Sequence, residues 1–173
     1  AAWGKVVGAP AGAPRNPACD SAEADHPVDK SDNARSVVLR FRQGAFEFLD
    51  CGDLTWNIEK LLVCPVDKIG QVDLYQVTHH GMAISNHPSL VRTVAPTVAV
   101  MNNGPRKGGD AATVRLLRNT PSIRASYQLH KNAATPPADN APPALIANTR
   151  PEGGQFIHVS VSPDGARFTV RIG

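Results

Sequence analysis

Phe46-Glu47-Phe48-Leu49-Asp50-Cys51-Gly52-Asp53, running on into Leu54-Thr55-Trp56-Asn57-Ile58-Glu59-Lys60-Leu61-Leu62, is the stretch on which the fold turns. Its first part reads as a strand and its second places apolar residues at helical spacing, so Asp53 sits at a strand-to-helix junction. Upstream, Val37, Leu39 and Phe41 alternate with Val38, Arg40 and Arg42, the period of two expected of a half-buried strand. Gln43-Gly44 then turns the chain, which predicts a β-hairpin with strands near 36–42 and 46–51. Downstream the pattern repeats. Val72 to Val77 is a short strand rich in β-branched and aromatic residues, placed near 73–78 and stopping at Thr78-His79-His80-Gly81. A candidate helix follows at 88–94, and a buried-type strand at 97–101. The spacing predicts helix again over 110–118, with Asp110 as its N-cap, and strand over 124–129. Helices near 54–62 and 110–118 would flank the sheet.

Strands alternating with helices predict a layered α/β domain with a mixed sheet, in which functional groups collect at the carboxyl ends of strands. Asp53, His79 and His80 all lie at such ends. Beyond a Pro- and Ala-rich stretch, alternation resumes at Phe156 to Val161 and at Arg167 to Ile172. Pro163-Asp164-Gly165 between them is a strong turn signal, so a terminal β-hairpin is expected.

The 173 residues, 42% of them hydrophobic, suffice for one domain with a real core. Eighteen Lys and Arg stand against fifteen Asp and Glu with no long like-charge run, so charge alone does not argue for a nucleic-acid partner. No apolar run reaches the roughly 18 residues of a membrane span, and Ala1 to Val7 lack signal-peptide character. A soluble chain is expected, cytoplasmic or exported. Residues 1–35 have no apolar period and read as a loop or linker, leaving 36–173 as the folded unit. The start reads like the middle of something longer, so a missing N-terminal half is expected. Cys19, Cys51 and Cys64 are an odd count without CxxC spacing, from which neither a disulfide framework nor a zinc ribbon follows.

A carboxylate and imidazoles at neighbouring strand ends are ligands that a divalent metal such as zinc accepts. Each also has a structural reading: Asp53 as the N-cap of the helix it precedes, and the histidines as hydrogen-bonded strand-end residues. His130 ends a strand and by position is a further pocket candidate. Asn102-Asn103-Gly104-Pro105-Arg106-Lys107-Gly108-Gly109-Asp110 reads either as a plain strand-to-helix loop or as an anion cradle in which Lys107 and Asn103 would take part; it lacks P-loop spacing. His26, His87 and His158 are expected to be solvated or packed, and Trp56 to pack in the core or under the site. No Ser or Cys stands in a recognisable nucleophile setting.

The order Asn33-Ala34-Arg35-Ser36, a hairpin ending in Gly52-Asp53, then a strand ending in His79-His80-Gly81 resembles the C-terminal half of metallo-β-lactamase-fold hydrolases. The branch it is most similar to contains the nuclease-like domain of bacterial DNA-uptake competence proteins, over about Asp32 to Lys131. The resemblance implies an αββα fold or its C-terminal half. It implies that Asp53 bridges two divalent metal ions, zinc or alternatively manganese, in the full-length parent, and that His79 and His80 serve as a metal ligand and a proton donor or orienting group. The His-x-His-x-Asp-His motif that supplies most of that family's ligands is absent from these residues. The expected partner is therefore the chain's own N-terminal half, without which it is inactive. A phosphodiester or other phosphoester, or a small-molecule ester or amide, is the implied substrate; the alternative is a binding or scaffolding domain that keeps the fold without a complete site.

Overall fold

The computed structural model describes residues 8, 11–20 and 23–173. The reading of Ala1 to Val7 falls outside them. Strands β1 (Leu39–Gln43), β2 (Phe46–Asp50), β3 (Leu74–Gln76), β4 (Val98–Met101), β5 (Ala125–His130) and β6 (Ile146–Asn148) form one sheet in that spatial order. β1 and β2 are antiparallel and every later pairing is parallel, so the sheet is mixed. Helices α1 (Trp56–Val63), α2 (Pro88–Val94) and α3 (Ala111–Arg118) connect β2 to β3, β3 to β4 and β4 to β5. A separate hairpin, β7 (Ile157–Val161) and β8 (Phe168–Ile172), ends the chain.

This strand order dictates where the core sits. Parallel crossovers are right-handed, and here each one steps to the next strand in the same direction, so all three helices fall on one face of the sheet. The buried cluster is what that requires. Leu49, Tyr75 and Ala99 form one cross-strand row, each fully buried, and pack with Leu62 and Val63 of α1, Leu90, Val91 and Val94 of α2, and Val114 and Leu117 of α3. The alternate row, Phe41, Phe48, Leu74, Val98 and Ala125, faces the other way. It is apolar too, yet Phe41 is 53% exposed, and Phe48, Val98 and Ala125 are only half-buried. The terminal hairpin covers one corner of this second face, where Phe46 packs on Phe168 at 5.1 Å between ring centroids.

Several expectations are corrected. β1 is exposed along its whole length instead of half-buried, because it is the sheet edge and its apolar side lies on the uncovered face. β6 escapes the sequence pattern: it is three residues long and buried inside the Pro- and Ala-rich stretch. Asp110 stands at the N-cap position of α3 but does not cap it, since its Oδ2 accepts the Ala83 N–H at 2.8 Å. Cys19 and Cys64 form a disulfide across a separation of 45 residues, leaving Cys51 as the free, buried cysteine. The bridge forms because the Pro17–Asp20 turn docks on the helical layer, where Asn16 donates to the Val63 carbonyl and to Thr93 Oγ1 and Ser89 donates to the Ala18 carbonyl. Count and spacing carry no trace of that docking.

A carboxylate and two imidazoles at the strand ends

Asp53 is not an N-cap: the cap of α1 is Thr55, and α1 begins at Trp56. The Asp53 carboxylate instead meets both histidines, Oδ2 at 4.0 Å from His79 Nε2 and Oδ1 at 3.7 Å from His80 Nε2. Backbone ties hold the three together. The His79 N–H donates to the Gly52 carbonyl at 2.9 Å, and the Asp53 N–H to Ser36 Oγ at 3.2 Å. After β3 the chain turns through His79 and His80 with φ of 52° and 57°, followed by Gly81 at 78°. Left-handed geometry costs a side-chain-bearing residue about 1–2 kcal/mol, and it persists where the surroundings over-determine it.

A buried polar knot supplies that determination. Tyr75 Oη lies 2.6 Å from Thr78 Oγ1 and donates to Asn86 Oδ1 at 2.9 Å, while Asn86 Nδ2 donates back to the Thr78 carbonyl at 3.0 Å. Glu59 of α1, fully buried, accepts the His87 N–H through Oε2. Burial raises the Glu59 carboxyl to about 7 and lowers the His87 imidazole to about 4. The Cys51 thiol and the Tyr75 phenol beside them are both pushed up, again by burial first. Trp56 stacks on His26 at 4.0 Å and tilts against His87 at 4.7 Å, so these two histidines are packed, whereas His158 is exposed on β7.

The hydrogen bonds on the far side of each ring fix where its proton sits. His79 Nδ1 is 3.1 Å from Ser85 Oγ, whose own hydrogen goes to the Leu54 carbonyl at 2.7 Å, so the hydroxyl accepts and Nδ1 carries the proton. His80 Nδ1 faces the Asn102 carbonyl at 3.2 Å and Asn102 Oδ1 at 3.3 Å; both only accept, so Nδ1 is again the protonated nitrogen. Burial holds the His79 imidazole below its ordinary range, with Asp53 pulling the other way, which keeps the ring neutral near pH 7. Both rings therefore carry an N–H on Nδ1, away from Asp53, and turn Nε2 toward its carboxylate. Ser85 and Asn102 were missed from sequence because each lies in a loop that only the fold brings behind a ring.

Not every candidate joins the cluster. Asn103, 1% exposed, is spent on the β5 end, donating to the His130 carbonyl at 2.7 Å and to the Gly104 carbonyl at 3.0 Å. His130 is half-buried with Nδ1 unpartnered, and among the described residues no hydrogen bond or ion pair links it to Asp53, His79 or His80. Lys107 is exposed, and its ammonium is near enough to disfavour protonation of His79. Asp29, which sequence reasoning passed over, acts on His79 in the opposite sense. A cavity of about 470 Å³ lies elsewhere, between α3, β5 and residues 137–145, and none of the cluster residues lines it.

The donor chemistry suits a divalent metal, since metal-bound histidines characteristically donate their other N–H to a carbonyl or similar acceptor. The set is incomplete, however: among the described residues, no group of three or more His, Cys, Asp or Glu side chains is disposed to hold a metal ion.

Fold and site together define an α/β domain with a polar cluster at the carboxyl ends of its parallel strands. No family profile matches the chain. Over 77 residues, 44% of its length, it is 31% identical to "Recombination protein 2" of Haemophilus influenzae, and the match spans 9% of that protein.

Proposed function

We propose that this chain is one half of a metal-dependent hydrolase of the metallo-β-lactamase type, acting on a phosphoester or a related ester or amide bond and inactive alone. The observation that carries this is the convergence of two bare Nε2 lone pairs and one carboxylate within 4.0 Å, three acceptors with no donor among them. Such a set is electrostatically frustrated until a cation enters it. Supplying the remaining ligands falls to a second layer of protein, and the exposed Phe41 with half-buried Phe48 and Val98 on the second sheet face supports packing of such a layer there. The likeness to a protein called a recombination protein supports a DNA-related role. No helix among the described residues is long and apolar enough to cross a membrane. The Cys19–Cys64 bridge supports residence in an oxidising compartment.

A second reading, a non-catalytic binding domain, draws support from the absence of a complete metal-holding group among the described residues. Metal analysis of the longer parent decides between them. The intact parent is expected to carry zinc or manganese and to be chelator-sensitive, this chain alone to bind metal weakly, and Asp53→Ala to lower metal content and activity together. A parent that carries no divalent metal and hydrolyses no ester sinks the hydrolase reading, and one that keeps full metal and full turnover after Asp53→Ala removes Asp53 from the site.

A further inference from the structure

The last parallel crossover departs from the others. A parallel connection usually carries a helix that packs on the sheet, and α1, α2 and α3 do so between β2 and β5. Between β5 and β6 the chain instead makes two short 3₁₀ turns, Pro137–Asp139 and Pro143–Leu145. Where a further helix would lie beside α3 stands the cavity of about 470 Å³, within the range of about 300–1,000 Å³ usual for small-molecule sites.

Its outer wall is built to stay in place. Pro136, Pro137, Pro142 and Pro143 fix their own φ. Asn140, 6% exposed, ties the segment between the two turns: its Oδ1 accepts the Asn132 N–H at 2.8 Å, and its Nδ2 donates to the carbonyls of Asn132 at 3.2 Å and Thr135 at 3.3 Å. Collapse onto α3 would break these bonds, so the space is preorganised.

The lining has two polar ends and an apolar middle. Val114, Leu117, Ile123 and Leu145 form the middle. The crossover helix α3 runs opposite to β5, so Arg118 and Arg124 line one end and Gln128 the other. At the cationic end Asp139 engages Arg115 at 2.9 Å and Arg118 at 3.8 Å, while Arg124, exposed, forms no ion pair among the described residues. The mouth therefore offers one uncommitted guanidinium, matched to a single negative charge. At the far end Gln128 is 1% exposed and its Oε1 accepts the Ala141 N–H. Its Nε2 has no hydrogen-bond partner among the described residues, and Gly109, whose Cβ would fall 3.1 Å from it, keeps the space beside it clear. A buried donor without an acceptor is a costly state that an oxygen from a ligand would relieve.

We propose that this cavity binds a small monocarboxylate whose apolar body carries a carbonyl oxygen near its far end. Arg124 grips the carboxylate with its planar fork, the body lies along Leu117 and Leu145, and the carbonyl accepts from Gln128 Nε2. The site stands independently of Asp53, His79 and His80, none of which lines it.

The test titrates the ¹⁵N-labelled 173-residue chain with 7-oxooctanoate, with octanoate, which lacks the ketone, and with 2-octanone, which lacks the carboxylate. 7-Oxooctanoate is expected to bind most tightly and to shift the side-chain NH₂ signals of Gln128. Octanoate should bind about fivefold more weakly and 2-octanone at least about tenfold more weakly, the losses of a neutral and of a charge-assisted hydrogen bond. Arg124→Gln is expected to cost 7-oxooctanoate about tenfold. Ala138→Trp, at an exposed position on the wall, should fill the mouth and abolish binding. Wild-type affinity in both variants overturns the proposal, as does 2-octanone binding as tightly as 7-oxooctanoate, or a Gln128 side-chain signal that stays unmoved at saturation.

Discussion

Glu59 makes the structure's sharpest demand on solution behaviour. Its carboxyl is fully buried, and desolvation holds it at about 7 against an ordinary 4.5. Between those values the folded chain keeps a proton that the unfolded chain releases, so this contribution to stability is complete below about pH 4.5 and drains away as pH rises through about 7. The shift corresponds to about 3 kcal/mol. Glu59→Gln removes the titration. Relative to the variant, the wild type should lose about 3 kcal/mol across that window, a relative displacement of the urea midpoint of about 1–3 M for a domain of this size. The comparison with the variant is needed because His87, pushed down to about 4, titrates in the opposite sense. Its contribution is present above its ordinary 6.5 and is lost as pH falls through about 4, which flattens the wild-type profile. Urea titrations of both proteins over the window would refute the reasoning if the two stability curves ran parallel.

Two further outcomes follow from the site and from the Cys19–Cys64 bridge. The ¹⁵N shifts of His79 should report an Nδ1–H tautomer near neutral pH, and Ser85→Ala, which removes the acceptor of that proton, should shift the ring toward mixed tautomers; an Nε2–H tautomer in the wild type contradicts the assignment. Replacing Cys19 and Cys64 by Ser opens a loop spanning 45 residues and should cost up to about 4 kcal/mol on the chain-entropy scale, read as the stability difference from the oxidised wild type in chemical denaturation; equal stabilities would contradict it.

What was legible in the sequence is what depends on neighbours along the chain. The turn at Gln43-Gly44 into the strand at 46–51, the helical spacing after Asp53 and the continuous apolar run of β4 gave elements to within a few residues, because each is set by residues close along the chain. β1 misled because alternation records which side is apolar and not whether anything covers it, and at this edge Phe41 lies in the open. The Cys19–Cys64 bridge and β6 depend on segments far apart docking, and neither has a local signature.

The cluster divides along the same line. That Asp53, His79 and His80 stand at strand ends follows from local pattern, since a parallel sheet collects such ends at one edge. That their lone pairs converge does not: it depends on Ser85 and Asn102 behind the rings, and on Thr78 and Asn86 holding two residues at positive φ. A His-His-Gly sequence therefore specifies the strained turn only in company with that buried knot. The same dependence explains Gly108, which next to Lys107 reads as loop filler until the His80 carbonyl is placed where a side chain would have to go. The residues that set the site's geometry are thus mostly not the ones that present its chemistry, and they lie in the loops where periodicity is silent.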